Sequence, residues 1–170
     1  MLSLLLLLAL CSSALADAGA TYSFSPSVGS GTGTSYSLSG TGKITAVRVY
    51  EAANAYISGI QLRFGGIWTN LIGRKLGSAM DLELRDDEHI HQISGKYHPS
   101  NYIYQLIFYT SAGRSLIVGQ PIQNSFNMYT ARKNEQLIIL SGRFNSAGIT
   151  AIAAHWGSPD VDYGNVTTSS

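Results

Sequence analysis

Apolar and polar residues alternate with a period of two along much of the chain. Within residues 44–50, Val47 and Val49 share one face while Arg48 and Tyr50 take the other. Ile60, Leu62 and Phe64 stand opposite Gln61 and Arg63, and Met80, Leu82 and Leu84 alternate with Asp81, Glu83 and Arg85. Successive side chains of a strand point to opposite faces, so each pattern predicts a strand with one buried face. Residues 89–97, 103–109, 115–118, 136–141 and 149–156 are further candidates. Phe64-Gly65-Gly66, Ser111-Ala112-Gly113 and the stretch from Asn145 to Gly148 each break two strands with turn residues. Short strands at this spacing predict an all-β sandwich, barrel or prism. The one helix candidate, residues 50–56, is alanine-rich but short, and is as readily a turn.

The ends of the chain read differently. An apolar run from Leu4 to Leu10, then Ala14-Leu15-Ala16 ahead of Asp17, has the layout of a secretory signal peptide cleaved after Ala16, although no Lys or Arg precedes the run. That run is too short to span a bilayer, which takes about 20 residues. Cleavage would leave about 154 residues, enough for one domain with its own core, and would remove Cys11, the only cysteine. Stability then has to come from burial and hydrogen bonds rather than disulfides. The expected organisation is a signal peptide over 1–16, a short lead over 17–22, one domain over 23–157 and a loose tail over 158–170. Residues 23–42 are rich in Gly, Ser and Thr and could be mistaken for a linker, but are placed within the domain.

A formal charge of +1 with 12% charged residues offers no field to recruit nucleic acid or anionic lipid. Gly29-Ser30-Gly31-Thr32-Gly33 could let a ligand approach backbone amides closely, but lacks the Lys-Ser/Thr pair of a phosphate loop. His89 and His91 share a strand face, behind Asp86-Asp87-Glu88, yet no zinc-ligand spacing reaches His98 or His155. The three acids read as a solvated turn. No Gly-x-Ser-x-Gly elbow is present, and nothing suggests an enzyme. Ten tyrosines, two tryptophans and five phenylalanines could stack on the apolar faces of sugars, and Tyr97, Tyr102 and Tyr104 gather around a His98-Pro99-Ser100-Asn101 loop. Asn165-Val166-Thr167 is an N-glycosylation sequon.

Five segments in order resemble the jacalin-related lectins, most closely the animal zymogen granule membrane protein 16 group. They are Gly29-Ser30-Gly31-Thr32-Gly33, Ile44-Thr45-Ala46-Val47-Arg48-Val49, Ile93-Ser94-Gly95-Lys96-Tyr97, Ser141-Gly142-Arg143 and Ala151-Ile152-Ala153-Ala154-His155-Trp156. The resemblance implies a β-prism I of three Greek-key four-stranded sheets, with a metal-free and cofactor-free sugar site built by three loops at one end. Gly31, Thr32 and Gly33 would offer amides; Lys96, Tyr97, His98 and Tyr102 would belong to a recognition loop. Ser146, Ala147, Gly148, Ile149 and Thr150 would form the third.

That third loop normally reads Gly-x-x-x-Asp. Here Ser146 stands at the glycine and Thr150 at the aspartate. A hydroxyl cannot bridge two sugar hydroxyls as a carboxylate does. Losing the charged acceptor removes roughly 1.5–3 kcal/mol, or one to two decades of affinity. Basic residues that often follow the glycine loop in the animal group are replaced by Thr34-Ser35, leaving Lys43, Lys96, Arg143 and His98 as a small basic patch. Two functions are therefore expected to compete. One is a secreted lectin for mannose-type or related glycans, on mucus, cell-wall or granule-matrix partners. The other is a secretory-granule packaging protein of the same fold with a degenerate sugar site.

Overall fold

The computed structural model describes residues 21–158. The expected signal peptide and the Asn165 sequon lie outside the described residues. Thirteen strands are present: β1 Tyr22–Gly29, β2 Thr34–Leu38, β3 Ile44–Glu51, β4 Ile57–Phe64, β5 Ile67–Trp68, β6 Ile72–Gly73, β7 Ala79–Glu83, β8 Ile90–Tyr97, β9 Ile103–Thr110, β10 Ser115–Gly119, β11 Asn124–Tyr129, β12 Gln136–Phe144 and β13 Ile149–Gly157. No helix occurs among the described residues. The segment considered as a helix is the end of β3 followed by a tight turn, closed by Ala55 N–H to the Ala52 carbonyl, with Asn54 at φ 51°.

The strands form three antiparallel sheets, ordered β1-β13-β12-β2, β10-β9-β8-β11 and β5-β4-β3-β7. The second sheet is a Greek key: β8, β9 and β10 follow one another, and β11 returns beside β8. The third repeats it with β3, β4, β5 and a returning β7. The first has the same order only if β12 and β13 are followed by β1 and β2, so its key is closed by two segments from opposite ends of the chain. The outer edge of the third sheet is broken into β5 and β6, both paired with β4. Between them Thr69 keeps the contact alive with its side chain, accepting the Leu62 amide at 3.2 Å.

The inward faces meet in one core. Val47, Val49, Ile60 and Leu62 come from the third sheet, Ile93, Leu106 and Phe108 from the second, and Leu140, Ile152 and Trp156 from the first. The Trp156 indole N–H donates to Ser25 Oγ at 2.8 Å, so its one polar atom is satisfied in the buried ring. The polar stretch 23–42 is strand rather than linker, because β1 pairs with β13 and Tyr36 and Leu38 of β2 are buried against β12. Tyr22, placed in the lead, opens β1 opposite Gly157, the last residue of β13. Asp86 and Asp87 are exposed, but Glu88 corrects the solvated-turn expectation. Its side chain is only 1% exposed and is paired with Arg114.

Candidate functional site

Antiparallel pairing sends every strand connection to one of two ends of the prism. At one end the loops after β1, β3, β8 and β12 converge. The β12–β13 loop is shaped by Asn145, whose side-chain oxygen accepts the amides of Ala147 at 2.9 Å and Gly148 at 3.0 Å. This side-chain-capped turn is the usual use of Asn in such a position. Its amide nitrogen donates to Tyr102 Oη at 3.3 Å, which ties the loop to the β8–β9 loop. Tyr102 in turn stacks on Tyr56 of the β3–β4 turn, with ring centroids 4.1 Å apart and planes 16° apart.

The glycine loop between β1 and β2 is latched to the same strand end. Ser30 N–H donates to the Thr150 carbonyl at 2.8 Å, and Thr150 Oγ1 donates to the Thr32 carbonyl at 2.8 Å. Gly33 sits at φ 104°, where a Cβ would lie 2.5 Å from the Phe144 carbonyl oxygen, so only glycine allows this approach. Ser30 Oγ lies 2.7 Å from Thr32 Oγ1 and accepts the Thr32 amide at 3.2 Å. The Gly31 amide is left without a protein acceptor, and the space around its α-carbon is open.

The residues singled out from sequence thus separate into two groups. Gly31, Thr32, Gly33, Tyr102, Ser146, Ala147, Gly148, Ile149 and Thr150 come together. Within that group Ile149 is buried in the core, and Thr150 is 1% exposed with its hydroxyl committed to the glycine loop. Lys96 instead lies on β8, donating to Ser125 Oγ at 2.8 Å on β11, and Tyr97 packs edge-on against Phe126. His98 belongs to the converging β8–β9 loop, but its side chain folds onto its own turn and accepts the Ser100 amide at 3.1 Å. Lys43 does not join Lys96 and Arg143, because it precedes β3 at the opposite end, while Arg143 donates to the Gly33 carbonyl at 2.8 Å. Ser30, read only as part of the glycine motif, completes the site with Tyr56 and Asn145, which were not assigned to it. Of these, Asn145 carried a signal, standing ahead of small residues in a predicted turn.

These four loops carry no charge apart from His98; Arg74 and Lys75 stand in the β6–β7 loop at the same end, and Arg143 of β12 donates to the glycine loop. No carboxylate belongs to the four loops, and Glu51, at the adjoining end of β3, accepts a hydrogen bond from Gln120 at 2.6 Å. What they present is amides, hydroxyls and a stacked aromatic pair, groups that match neutral polyhydroxylated ligands. Among the described residues no three His, Cys, Asp or Glu side chains are grouped to hold a metal ion. His89 and His91 lie toward the opposite end. His155 is engaged on the first sheet, with Tyr22 Oη 2.6 Å from Nδ1 and Ser141 Oγ 2.8 Å from Nε2.

Residues 25–155 match the jacalin-like lectin domain. The chain belongs to the jacalin-like lectin family. Rat zymogen granule membrane protein 16 is 40% identical over 115 residues, covering 68% of this chain, and the match spans 66% of that relative's length, just under two thirds. The human protein of the same name is 38% identical over the same shares. The crystal structure of a prostate-specific WGA16 glycoprotein lectin superposes with a TM-score of 0.71 at 29% identity, over 81% of this chain and 99% of that one. With the three antiparallel sheets, these likenesses establish the β-prism I fold. Family and fold are those of non-catalytic carbohydrate-binding proteins.

Proposed function

We propose that this jacalin-like chain is a secreted lectin that binds mannose-type or related glycans without a metal ion, at the end of the prism carrying the glycine loop. The observation that carries this reading is the open Gly31 amide in a glycine loop held at the strand end where the loops carrying Tyr102 and Ser146 also converge. Amides, hydroxyls and aromatic rings recognise sugars without an ion to bridge them. Thr150 serves this site by holding the Thr32 carbonyl, which sets the loop's shape, rather than by replacing the missing carboxylate. Monosaccharide affinity is accordingly in the millimolar range, raised by multivalent display on mucus, cell-wall or granule-matrix glycans.

The signal-like leader over 1–16 supports export, and the zymogen granule relatives support a route through secretory granules. No helix among the described residues is long and apolar enough to cross a membrane. The domain is taken as 23–157, with the Asn165-Val166-Thr167 sequon beyond it as a glycosylation acceptor. One observation favours the second reading, a granule-packaging protein with a degenerate site: no carboxylate stands where the family places its aspartate. A glycan array with the signal-free protein, at neutral and mildly acidic pH, separates the two. Retention on mannose-type or mixed glycans supports the lectin; a flat array at high protein concentration overturns it in favour of packaging.

A further inference from the structure

The outer face of the first sheet carries a trough of about 310 Å³ that the loop site does not use. Small residues make its floor: Gly142, and Ala153, which is buried although it faces outward. Phe24 forms one wall, half exposed at 50%, with its ring centroid 4.9 Å from the His155 ring. Ser27 and Ser35 line the trough with hydroxyls that have no protein partner among the described residues. Arg143 stands at the end nearest the glycine loop. One of its nitrogens holds the Gly33 carbonyl at 2.8 Å, and no carboxylate among the described residues pairs with the guanidinium.

The trough adjoins the glycine loop through Arg143. Arg143 pairs with Ser35, two residues beyond Gly33, while Phe24 is level with His155 and therefore with Ile139, four residues back along β12. At about 3.3 Å per residue the trough runs roughly 13 Å away from the glycine loop. That is longer than one sugar ring. An exposed aromatic face supplies stacking for the C–H face of a sugar, and unpartnered hydroxyls beside it supply hydrogen bonds. A purely apolar partner would leave those hydroxyls unsatisfied.

We infer that this trough is an extension subsite, binding the further sugar units of a glycan whose first unit sits at the glycine loop. The inference rests on the lectin reading above. It makes the protein a reader of chain length: the loops take one unit, and Phe24, Ser27, Ser35 and Arg143 reward a longer chain.

The test is titration of the signal-free protein with methyl α-mannoside and with mannose oligosaccharides of increasing length, with light scattering of the same samples. Oligosaccharides should bind at least tenfold more tightly than the monosaccharide. Phe24→Ala should remove most of that gain, and the Ser27→Ala/Ser35→Ala pair should remove part of it. Melting curves of each variant report that the fold is retained. Equal affinity for short and long ligands, with the monosaccharide bound, overturns the subsite and leaves the lectin reading standing. A length gain that survives both variants also overturns it. Binding of neither ligand overturns both. A dimer that Phe24→Ala turns into a monomer assigns the trough to a second copy of this chain instead.

Discussion

The two ends of the prism are closed by different chemistry. At the end opposite the glycine loop, two carboxylates are taken out of water and used as clamps. Glu88 accepts from Arg114, Thr110 Oγ1 and the Arg85 amide, joining the β7–β8 loop to the β9–β10 hairpin. Glu135, whose side chain is fully buried, accepts from Ser23 Oγ and the amides of Ala131 and Arg132, which fastens β1 to the turn before β12. At the glycine-loop end there is no such ion pair. Asn145, Thr150 and the Tyr56–Tyr102 stack hold the loops with neutral contacts, and the one charged group that joins them, Arg143, donates to the Gly33 carbonyl rather than to a carboxylate. Buried charge fixes geometry firmly but leaves nothing for a ligand, because a removed partner strands its mate. Neutral hydrogen bonds are individually weaker and leave an amide open. On the proposed reading the prism separates anchoring from recognition, and the strands join one end to the other.

Variants that act on one end should leave the other unaffected, and this gives the largest expected effects. Glu88→Gln removes the charge that Arg114 faces and should cost roughly 2–3 kcal/mol of unfolding free energy. That is below the range for a fully buried pair, because Arg114 is 36% exposed. Urea titration reads the loss, while sugar binding by the folded fraction should be unchanged. At the other end, Thr150→Asp sets an acceptor against the Thr32 carbonyl now held at 2.8 Å, so the glycine loop must give way. About 1–3 kcal/mol of stability should go. If the pocket is otherwise complete, the released carboxylate should raise mannose affinity by one to two decades, read by calorimetric titration.

Acid should also treat the ends unequally. Arg114, with help from Thr110 and the Arg85 amide, holds the Glu88 carboxyl at about 2, well below its usual 4.5. The unfolded chain therefore takes up this proton first as pH falls. The stability contributed by Glu88 is complete above about 4.5 and is lost between there and about 2. A pH series of melting temperatures should show this loss, and Glu88→Gln should flatten it. The smallest effect belongs to His155. Burial holds its pKa below 6.5, so its contribution is present at neutral pH and declines as pH drops below 6.5. His155→Gln should remove only that shallow slope.

How far each end could be read from sequence follows from how local its contacts are. Eight strands were legible because several apolar residues alternate on one face, as in β3, β4 and β9. β2 and β11 were not, since Tyr36 with Leu38 and Phe126 with Met128 give only two apolar positions each among Ser, Thr and Asn. β5 and β6, two residues each, are too short for any period to register. The glycine loop and the Asn145 turn were legible because Gly and Asn mark special backbone geometry. Tyr56 was not, because its partner Tyr102 lies far along the chain, and Thr150 showed its alignment but not its burial. The Glu88 clamp was hidden for the same reason: an acidic run looks solvated until Arg114 arrives from another hairpin.

Gly31→Trp offers the most direct test that recognition belongs to the glycine-loop end. A side chain at Gly31 meets nothing within 4 Å of its Cβ, so the variant should melt as the parent does while covering the open amide. On a glycan array with both proteins, the parent should be retained on mannose-type glycans and the variant should not. Equal retention of both, with the fold intact, would place sugar binding elsewhere on the molecule and contradict it.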